Sequence, residues 1–284
     1  MAKTKKWAIP AVFLSMISMQ GGASIAKYLF PILGPAGTST LRLGFAGIAL
    51  AIINRPRIWK FRRKEWTYSL AYGFTIGAMI LLFYFGIQRI PLGLGVTVEF
   101  IGPLGLALLT SRKMSDFIWA ILAGIGIILI VPWDGDSVDI VGLLFVFAAG
   151  LLWALYIVIG GEVTKKVKGP DIVTVGMCFA TLVALPFAFY YHDLDNLDVR
   201  LLVLGLGVGI LSSALPFSLD LVALKWMPAK TFSVLQSLQP AFGALSGLIF
   251  LGEILLLKQW IAIVCVVFAS MGATIGVDWK RKGK

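Results

Sequence analysis

Two apolar segments of this 284-residue chain each place a polar side chain four residues before a proline. Glu99 precedes Pro103, and 137 positions later Gln236 precedes Pro240. A proline inside a helix donates no backbone hydrogen bond and displaces the carbonyl four residues earlier, so each break releases a carbonyl beside a polar side chain. In lipid, such groups must face a cavity or a protein partner. The paired pattern predicts two broken membrane helices that flank the binding site of a transporter.

Four ionisable side chains lie within apolar segments: Lys27, Arg42, Glu99 and Asp220. An ionisable group at membrane depth costs at least about 2.5 to 3.5 kcal/mol on insertion scales, so each one needs a function or a partner. Two cations and two anions around one cavity suit a zwitterion, because a cation can receive its carboxylate and a carboxylate can receive its ammonium group. We therefore expect an amino acid as the substrate.

Each of these residues also has a simpler interpretation. Lys27 and Arg42 lie near enough to one interface to extend toward it, and Asp220 lies near enough to the cytoplasm to reach water. Glu99 is deeper, which favours a function as substrate ligand or proton carrier. Uncharged candidates either line the pocket or join helices by hydrogen bonds. These are Gln20, Gln236 and Gln239. Ser24 shares a helical face with Gln20 and Lys27, and Tyr156 either lines the pocket or belongs to ordinary aromatic packing or lipid contact.

The composition predicts an all-α polytopic membrane protein. Hydrophobic residues make up 59% of the chain and charged residues 14%, and the mean hydropathy is +0.92. A membrane-spanning helix needs about 20 predominantly apolar residues. The sequence predicts ten such helices, at roughly 7–30, 38–53, 67–87, 92–110, 117–132, 140–160, 172–191, 201–221, 231–251 and 259–277.

The net charge of +11 follows the membrane topology and does not indicate a nucleic-acid partner. Most of the 25 Lys and Arg residues lie in the termini or in basic connections between helices. Along the chain these basic connections alternate with acidic connections. Because cytoplasmic loops carry an excess of Lys and Arg, both termini are predicted to be cytoplasmic.

The short connections leave no room for a soluble catalytic domain. The chain has no phosphate-binding loop, no nucleophile elbow and no cluster with metal-ligand spacing, so we expect neither an enzyme nor a cofactor or metal. A membrane-embedded receptor or enzyme is the alternative from another class, and it would need a catalytic constellation or a domain outside the membrane. Ion gradients are the expected source of energy.

The chain contains an internal repeat. Gly34-Pro35 matches Gly169-Pro170 at an offset of 135, close to the offset of the paired prolines. Five crossings per repeat place the second copy in the opposite orientation. We therefore predict two inverted five-helix repeats, 1–136 and 137–284.

Four segments resemble the EamA family of the drug/metabolite transporter superfamily. They are QGGASIAK at 20–27, TLRL at 40–43, VEFIGPL at 98–104 and SGLIFLGE at 246–253. The resemblance implies ten helices in two inverted repeats, a central cavity, a place in the cell (inner) membrane, and export of small amino acids by alternating access, coupled to protons. Export of other amino acids or of amphipathic metabolites is the alternative within transport.

Overall fold

The structure is a computed structural model that describes residues 7–110, 115–130, 138–166, 169–227 and 229–276. Within these ranges the secondary structure is helical and contains no strands. Five helices are long and apolar enough to cross a membrane, and further apolar helices are shorter. The prediction of an all-α polytopic membrane protein is confirmed at this level. The predicted boundary between the repeats, at 136 and 137, lies outside the described residues.

The chain forms twelve α-helices within the described ranges, joined by short connections. Their bounds are α1 Ala8–Asn54, α2 Arg63–Ile87, α3 Leu92–Glu99, α4 Ile101–Thr110, α5 Ser115–Ile130, α6 Ile140–Lys166, α7 Gly169–Tyr190, α8 Val199–Gly209, α9 Leu215–Trp226, α10 Ala229–Gln236, α11 Gln239–Leu251 and α12 Leu257–Gly276.

The first helix is two helical arms that meet at Gly34. This glycine has φ 56° and ψ 169°, a conformation that glycine adopts readily because it lacks a Cβ atom. Pro35 follows, and its fixed φ suits the first turn of the second arm. Arms 8–33 and 35–54 correspond to the first two predicted spans, but one residue joins them where the sequence suggested a longer connection.

Both proline-containing segments are broken beside the predicted polar residues. Helix α3 ends at Glu99 and α4 begins at Ile101, while α10 ends at Gln236 and α11 begins at Gln239. Pro103 cannot donate to the Glu99 carbonyl, which lies instead against Gly150 of α6. A Cβ atom at Gly150 would lie 2.5 Å from that oxygen, so a glycine is needed for α6 to approach.

The connections gather at two opposite ends of the bundle. At one end, Asp193 contacts the backbone at Gly37, and Lys27 contacts both Ile90 and Glu253. We call this the Gly34 end. The opposite end, which holds the connection 55–62 with its arginines and lysine, is the Arg55 end.

Candidate functional site

Arg42 is a buried arginine held by neutral groups from two other helical segments. Its Nε donates to the Ser213 hydroxyl at 3.2 Å, and Nη1 donates to the Tyr84 hydroxyl at 3.0 Å. Nη2 donates to the Ser212 carbonyl at 3.0 Å. The guanidinium carbon also lies 5.4 Å from the centre of the Tyr84 ring. Arg42 is only 7% exposed, so its guanidinium group lies inside the bundle.

The acceptors on the far side of Arg42 come from a five-residue π-helix, Ile210–Ala214, between α8 and α9. A π-turn disrupts the regular hydrogen-bond ladder, and such turns are frequent at functional sites. Here it presents the Ser212 carbonyl and the Ser213 hydroxyl to the guanidinium. Gly22 of arm 8–33 packs against this turn, and a Cβ atom there would lie 2.9 Å from the Ser212 nitrogen.

The neutral contacts leave part of the guanidinium available. Arginine has five N–H groups, and the three hydrogen bonds of Arg42 leave one on each terminal nitrogen. In the described part of the chain, Arg42 forms no ion pair within 4.0 Å. The site therefore contains an oriented positive charge with two free donors.

Glu99 carries the carboxyl group on which Arg42 acts electrostatically. It is 8% exposed and lies at the end of α3, beside the proline break. Among the described residues its carboxylate has no hydrogen-bond or ion-pair partner, although a buried carboxylate ordinarily has one. Glu99 and Arg42 thus place a carboxyl group and a cation in one region without a direct contact between them.

A second carboxylate is connected to the other broken helix. Gln236 Nε2 donates to Asp220 Oδ2 at 3.2 Å, and Gln239 Nε2 donates to Gln236 Oε1 at 2.9 Å. Ser15 of arm 8–33, whose hydroxyl donates to the Pro216 carbonyl at 3.3 Å, also acts on Asp220. Asp220 Oδ1 is buried and has no partner among the described residues. The chain of hydrogen bonds therefore joins α9, α10 and α11 at the break before Pro240.

Tyr156 of α6 contributes to the same region. Its hydroxyl lies 3.3 Å from that of Tyr72 on α2, and their ring centres are 5.2 Å apart. Asp220 acts electrostatically on Tyr156. The pair of tyrosines belongs to the part of the site nearer the Arg55 end.

The three candidates on arm 8–33 are separated. Lys27 lies toward the Gly34 end, where its Nζ is 2.6 Å from Glu253 Oε1. Ser24 donates to the Gln20 carbonyl within its own helix at 3.1 Å. Gln20 Oε1 lies 3.5 Å from the place that a Cβ atom of Gly243 would occupy. Of these three, Gln20 is directed toward α11, whereas Lys27 is in an ion pair outside the Arg42 region.

Sequence reasoning did not single out Ser213 or Glu253. Glu253 appeared only as the last residue of a segment that resembles the EamA family. A signal for Glu253 was its place directly after Gly252, at the end of an apolar segment. Nothing in the sequence pattern indicated the π-helix.

Two aspartates lie outside the membrane-spanning segments and contact helix N-termini. Asp193 Oδ2 accepts from the Gly37 amide at 2.9 Å, and burial raises the pKa of this carboxyl although the Gly37 and Ala36 amides act in the opposite direction. Asp139 binds Arg89 at 2.9 Å and the first amides of α6. The hydrogen bond from Arg89 is the main reason that the pKa of Asp139 is lowered.

The described ranges contain no group of three His, Cys, Asp or Glu side chains that could hold a metal ion. The polar interior consists of an arginine, two carboxylates, amides and hydroxyls, which are ligands for polar organic solutes and protons. Apolar helices with a buried charged interior define the class of this molecule, a polytopic membrane protein.

Comparisons with known proteins agree with this class. The EamA-like transporter family matches residues 140–275. The threonine/homoserine exporter RhtA of Escherichia coli K12 is 40% identical over 97% of this chain and 95% of its own length. RhtA of Salmonella typhimurium SL1344 is 39% identical over 95% of this chain and 92% of its own. This chain belongs to the EamA-like transporter family.

One solved structure shares the fold. It is a crystal structure of a protein 16% identical to this chain, with a TM-score of 0.59 over 94% of this chain and 97% of the other. At this level of identity the likeness concerns the fold alone.

Proposed function

We propose that this protein is a secondary active transporter that exports small amino acids, of the threonine and homoserine type, across the cytoplasmic membrane. The observation that supports this most directly is the buried Arg42. Among the described residues its partners are all neutral and two of its N–H groups are free, and it acts electrostatically on Glu99. The names of the RhtA relatives supply the substrate class.

In this proposal Arg42 receives the substrate carboxylate. One free N–H on each terminal nitrogen suits a bidentate contact, which is the strongest pairing of arginine with a carboxylate. Tyr84 and Ser213 hold the guanidinium plane, so less freedom is lost when the substrate binds. A charge-assisted contact also offsets part of the cost of keeping Arg42 buried.

The substrate ammonium group is placed at Glu99, with Asp220 nearer the Arg55 end as a second anion on the path. Glu99 lacks a partner among the described residues, so it can bind a cation or a proton in turn. Gln236, Gln239 and Tyr156 line the path around Asp220 and supply hydrogen bonds to the hydroxyl of the substrate. Proton coupling is assigned to Glu99.

The contacts between helices support ten spans in two inverted repeats. In an inverted repeat, each contact between the halves has a counterpart in which the two halves change places. Here arm 8–33 corresponds to α6, and α2 corresponds to 199–226. Arm 8–33 contacts 199–226 through the bond from Ser18 to the Leu211 carbonyl, and α6 contacts α2 through the two tyrosines. Helices α5 and α12, which correspond to each other, are paired, as exchange requires.

Alternating access follows from this arrangement. The halves 1–136 and 137–284 rock about the binding site and expose it first to the cytoplasm and then to the outside. The Gly34 end is placed outside and both termini are placed in the cytoplasm, because the Arg55 end carries the basic connections. Pro103 and Pro240 supply the breaks about which the helices move.

Substrate analogues test this proposal through inhibition of labelled threonine counterflow in proteoliposomes. Threonine amide lacks the carboxylate, and 2,3-dihydroxybutyrate has a hydroxyl in place of the ammonium group. We expect neither to compete with threonine. Equal inhibition by threonine and its amide would contradict the assignment of Arg42. A panel of other amino acids identifies the substrate if threonine itself is not bound.

The substitution Arg42→Lys tests the same assignment from the side of the protein, because it keeps the charge but loses the planar guanidinium. A hydrogen bond to a charged group contributes about 1.5 to 3 kcal/mol, so we expect the KM for threonine to rise at least tenfold. Arg89→Lys is the control, because Arg89 forms a half-exposed pair with Asp139 at the Gly34 end.

A further inference from the structure

The Gly34 end contains an ion pair that joins three separate segments of the chain. Lys27 Nζ from arm 8–33 lies 2.6 Å from Glu253 Oε1 and 2.6 Å from the Ile90 carbonyl oxygen. Glu253 Oε2 accepts from the Leu92 amide at 2.7 Å. The pair thus connects arm 8–33, the start of α3 and the connection that follows α11.

The backbone fixes the position of this pair. Gly252 has φ 66°, and the Glu253 amide donates to the Gly247 carbonyl at 3.1 Å, which ends α11 in a left-handed turn. Glu253 then lies at the N-terminus of α3, where the helix dipole and a free amide favour an anion. The side chains of Lys27 and Glu253 are 18% and 14% exposed, so water screens them only partly.

Directly beneath the pair, α3 and α11 are in close backbone contact. A Cβ atom at Gly93 would lie 2.5 Å from the Ala244 Cα, and one at Gly243 would lie 2.9 Å from a methyl carbon of Val96. On the other side of the two breaks lie α4 and α10, and in the described part of the chain these two helices have no comparable interface. The broken helices are therefore closed together toward the Gly34 end and separate toward the Arg55 end.

We propose that Lys27 and Glu253 form the outer gate of the transport path, and that this structure shows the gate closed. This inference rests on the proposed function in placing the path between α3 and α11. Opening requires the ion pair and both backbone hydrogen bonds to break together, because Lys27 holds the Ile90 carbonyl while Glu253 holds the Leu92 amide.

The gate has no equivalent in sequence in the other half. Lys27 corresponds to Glu162 at an offset of 135, and Glu253 corresponds to Asp116 at an offset of 137. The corresponding positions therefore have two acidic residues in place of a lysine and a glutamate. The opposite charges of Lys27 and Glu253 favour closure at the Gly34 end. The ion pair therefore holds the outer side closed at rest, which suits a protein that loads its substrate from the cytoplasm.

Thiol accessibility tests this gate without a transport assay. Val96 is 2% exposed and lies beneath the ion pair, so Val96→Cys reports opening. The native Cys178 and Cys265 are replaced by alanine, and a membrane-impermeant methanethiosulfonate is added from either side of oriented vesicles. Lys27→Met and Glu253→Gln should each raise the labelling rate from outside on the order of tenfold, because each removes one charge of a partly buried pair.

Two matched variants separate gating from unfolding. Lys27→Arg keeps the charge and should label slowly, as the parent does. Arg89→Met removes an ion pair at the same end whose side chains are 46% and 34% exposed, and it should also leave the rate unchanged. The gate is disproved if both charge-removing variants label at the parent rate, if Arg89→Met labels as fast as they do, or if labelling rises only from the cytoplasmic side.

The same vesicles distinguish this inference from the proposed function. Faster labelling without threonine counterflow in the parent protein would keep the gate and reject the substrate. Threonine counterflow with unchanged labelling would keep the substrate and reject the gate.

Discussion

At the scale of residues, the main feature of the described part of this protein is a buried charge without a countercharge in contact. Arg42 has a hydroxyl, a phenol and a carbonyl as partners, which orient the guanidinium but leave its charge uncompensated. Arg42 acts at a distance on the carboxyl group of Glu99. An amino acid bound between them would supply the missing carboxylate and ammonium group.

The sequence predicted which buried residues are ionisable but not how they are paired. From the sequence, Lys27 and Arg42 had the same alternative interpretation, in which each side chain extends to the membrane interface. Their partners, Glu253 and Ser213, are 226 and 171 positions away in the chain. Such pairings depend on which helices become neighbours, so a pattern along one helix does not reveal them.

Asp193 provides a prediction about pH and stability. Burial raises the pKa of its carboxyl above the ordinary value of 3.8, so the native state binds this proton more tightly than the unfolded state does. The contribution of Asp193 to the free energy of unfolding therefore falls as pH rises above that value. Asp193→Asn keeps an acceptor for the Gly37 amide without a charge, and at pH 7 it should unfold at the parent temperature or above.

The control for this prediction is Asp193→Ala, which removes the acceptor and should cost about 1 kcal/mol, as the loss of a helix cap does. The measurement is thermal unfolding of the detergent-solubilised protein at pH 7 and at pH 4. An advantage of Asp193→Asn over the parent that grows toward pH 4 would contradict the sign of the effect.

At the scale of elements, proline position predicted where two helices break, and glycine determines what packs against one of the breaks. Pro103 leaves the Glu99 carbonyl without its helical donor, and Gly150 lets α6 approach that carbonyl. The π-helix Ile210–Ala214 was not predictable in this way, because no proline or other local signal marks its start. It is stabilised by contacts that form only when arms 8–33 and 35–54 pack beside it.

Gly150→Ala tests the close approach at the break. The new Cβ atom would lie 2.5 Å from the Glu99 carbonyl oxygen, and a backbone group cannot move aside as a flexible side chain can. Overpacking of this kind costs about 1 to 3 kcal/mol, and we expect a lower unfolding temperature together with slower transport.

Gly105→Ala on α4 is the matched control, since a Cβ atom there meets nothing within 4 Å. Its higher helix propensity, worth up to about 1 kcal/mol, should leave the unfolding temperature equal or higher. Equal destabilisation by the two substitutions would contradict the account of the break.

At the scale of the whole molecule, hydropathy and charge predicted the class, and the described helices lie where the apolar segments were expected. The inverted repeat stays a proposal that rests on paired offsets in the sequence and on helix contacts that survive exchange of the halves. The same exchange shows where symmetry ends. Glu99 corresponds to Gln236, and the Lys27–Glu253 pair corresponds to two acidic residues.

This asymmetry gives the two halves different tasks. In the proposed function, Arg42 and Glu99 of the first half supply the groups that bind substrate and proton. In the second half, the π-helix and Glu253 orient Arg42 and close the Gly34 end. A symmetric scaffold with asymmetric chemistry is able to move a solute in a preferred direction when a gradient is applied.

The central claim is that Glu99 couples amino acid export to protons, and one measurement in proteoliposomes tests it most directly. Labelled threonine flux is followed under an imposed proton gradient and, separately, as exchange without a gradient, for the parent protein and Glu99→Gln. We predict that the parent moves threonine in response to the gradient, and that Glu99→Gln loses this response but keeps exchange. A parent protein that moves no threonine under the gradient, or a Glu99→Gln variant that responds as the parent does, would contradict the account.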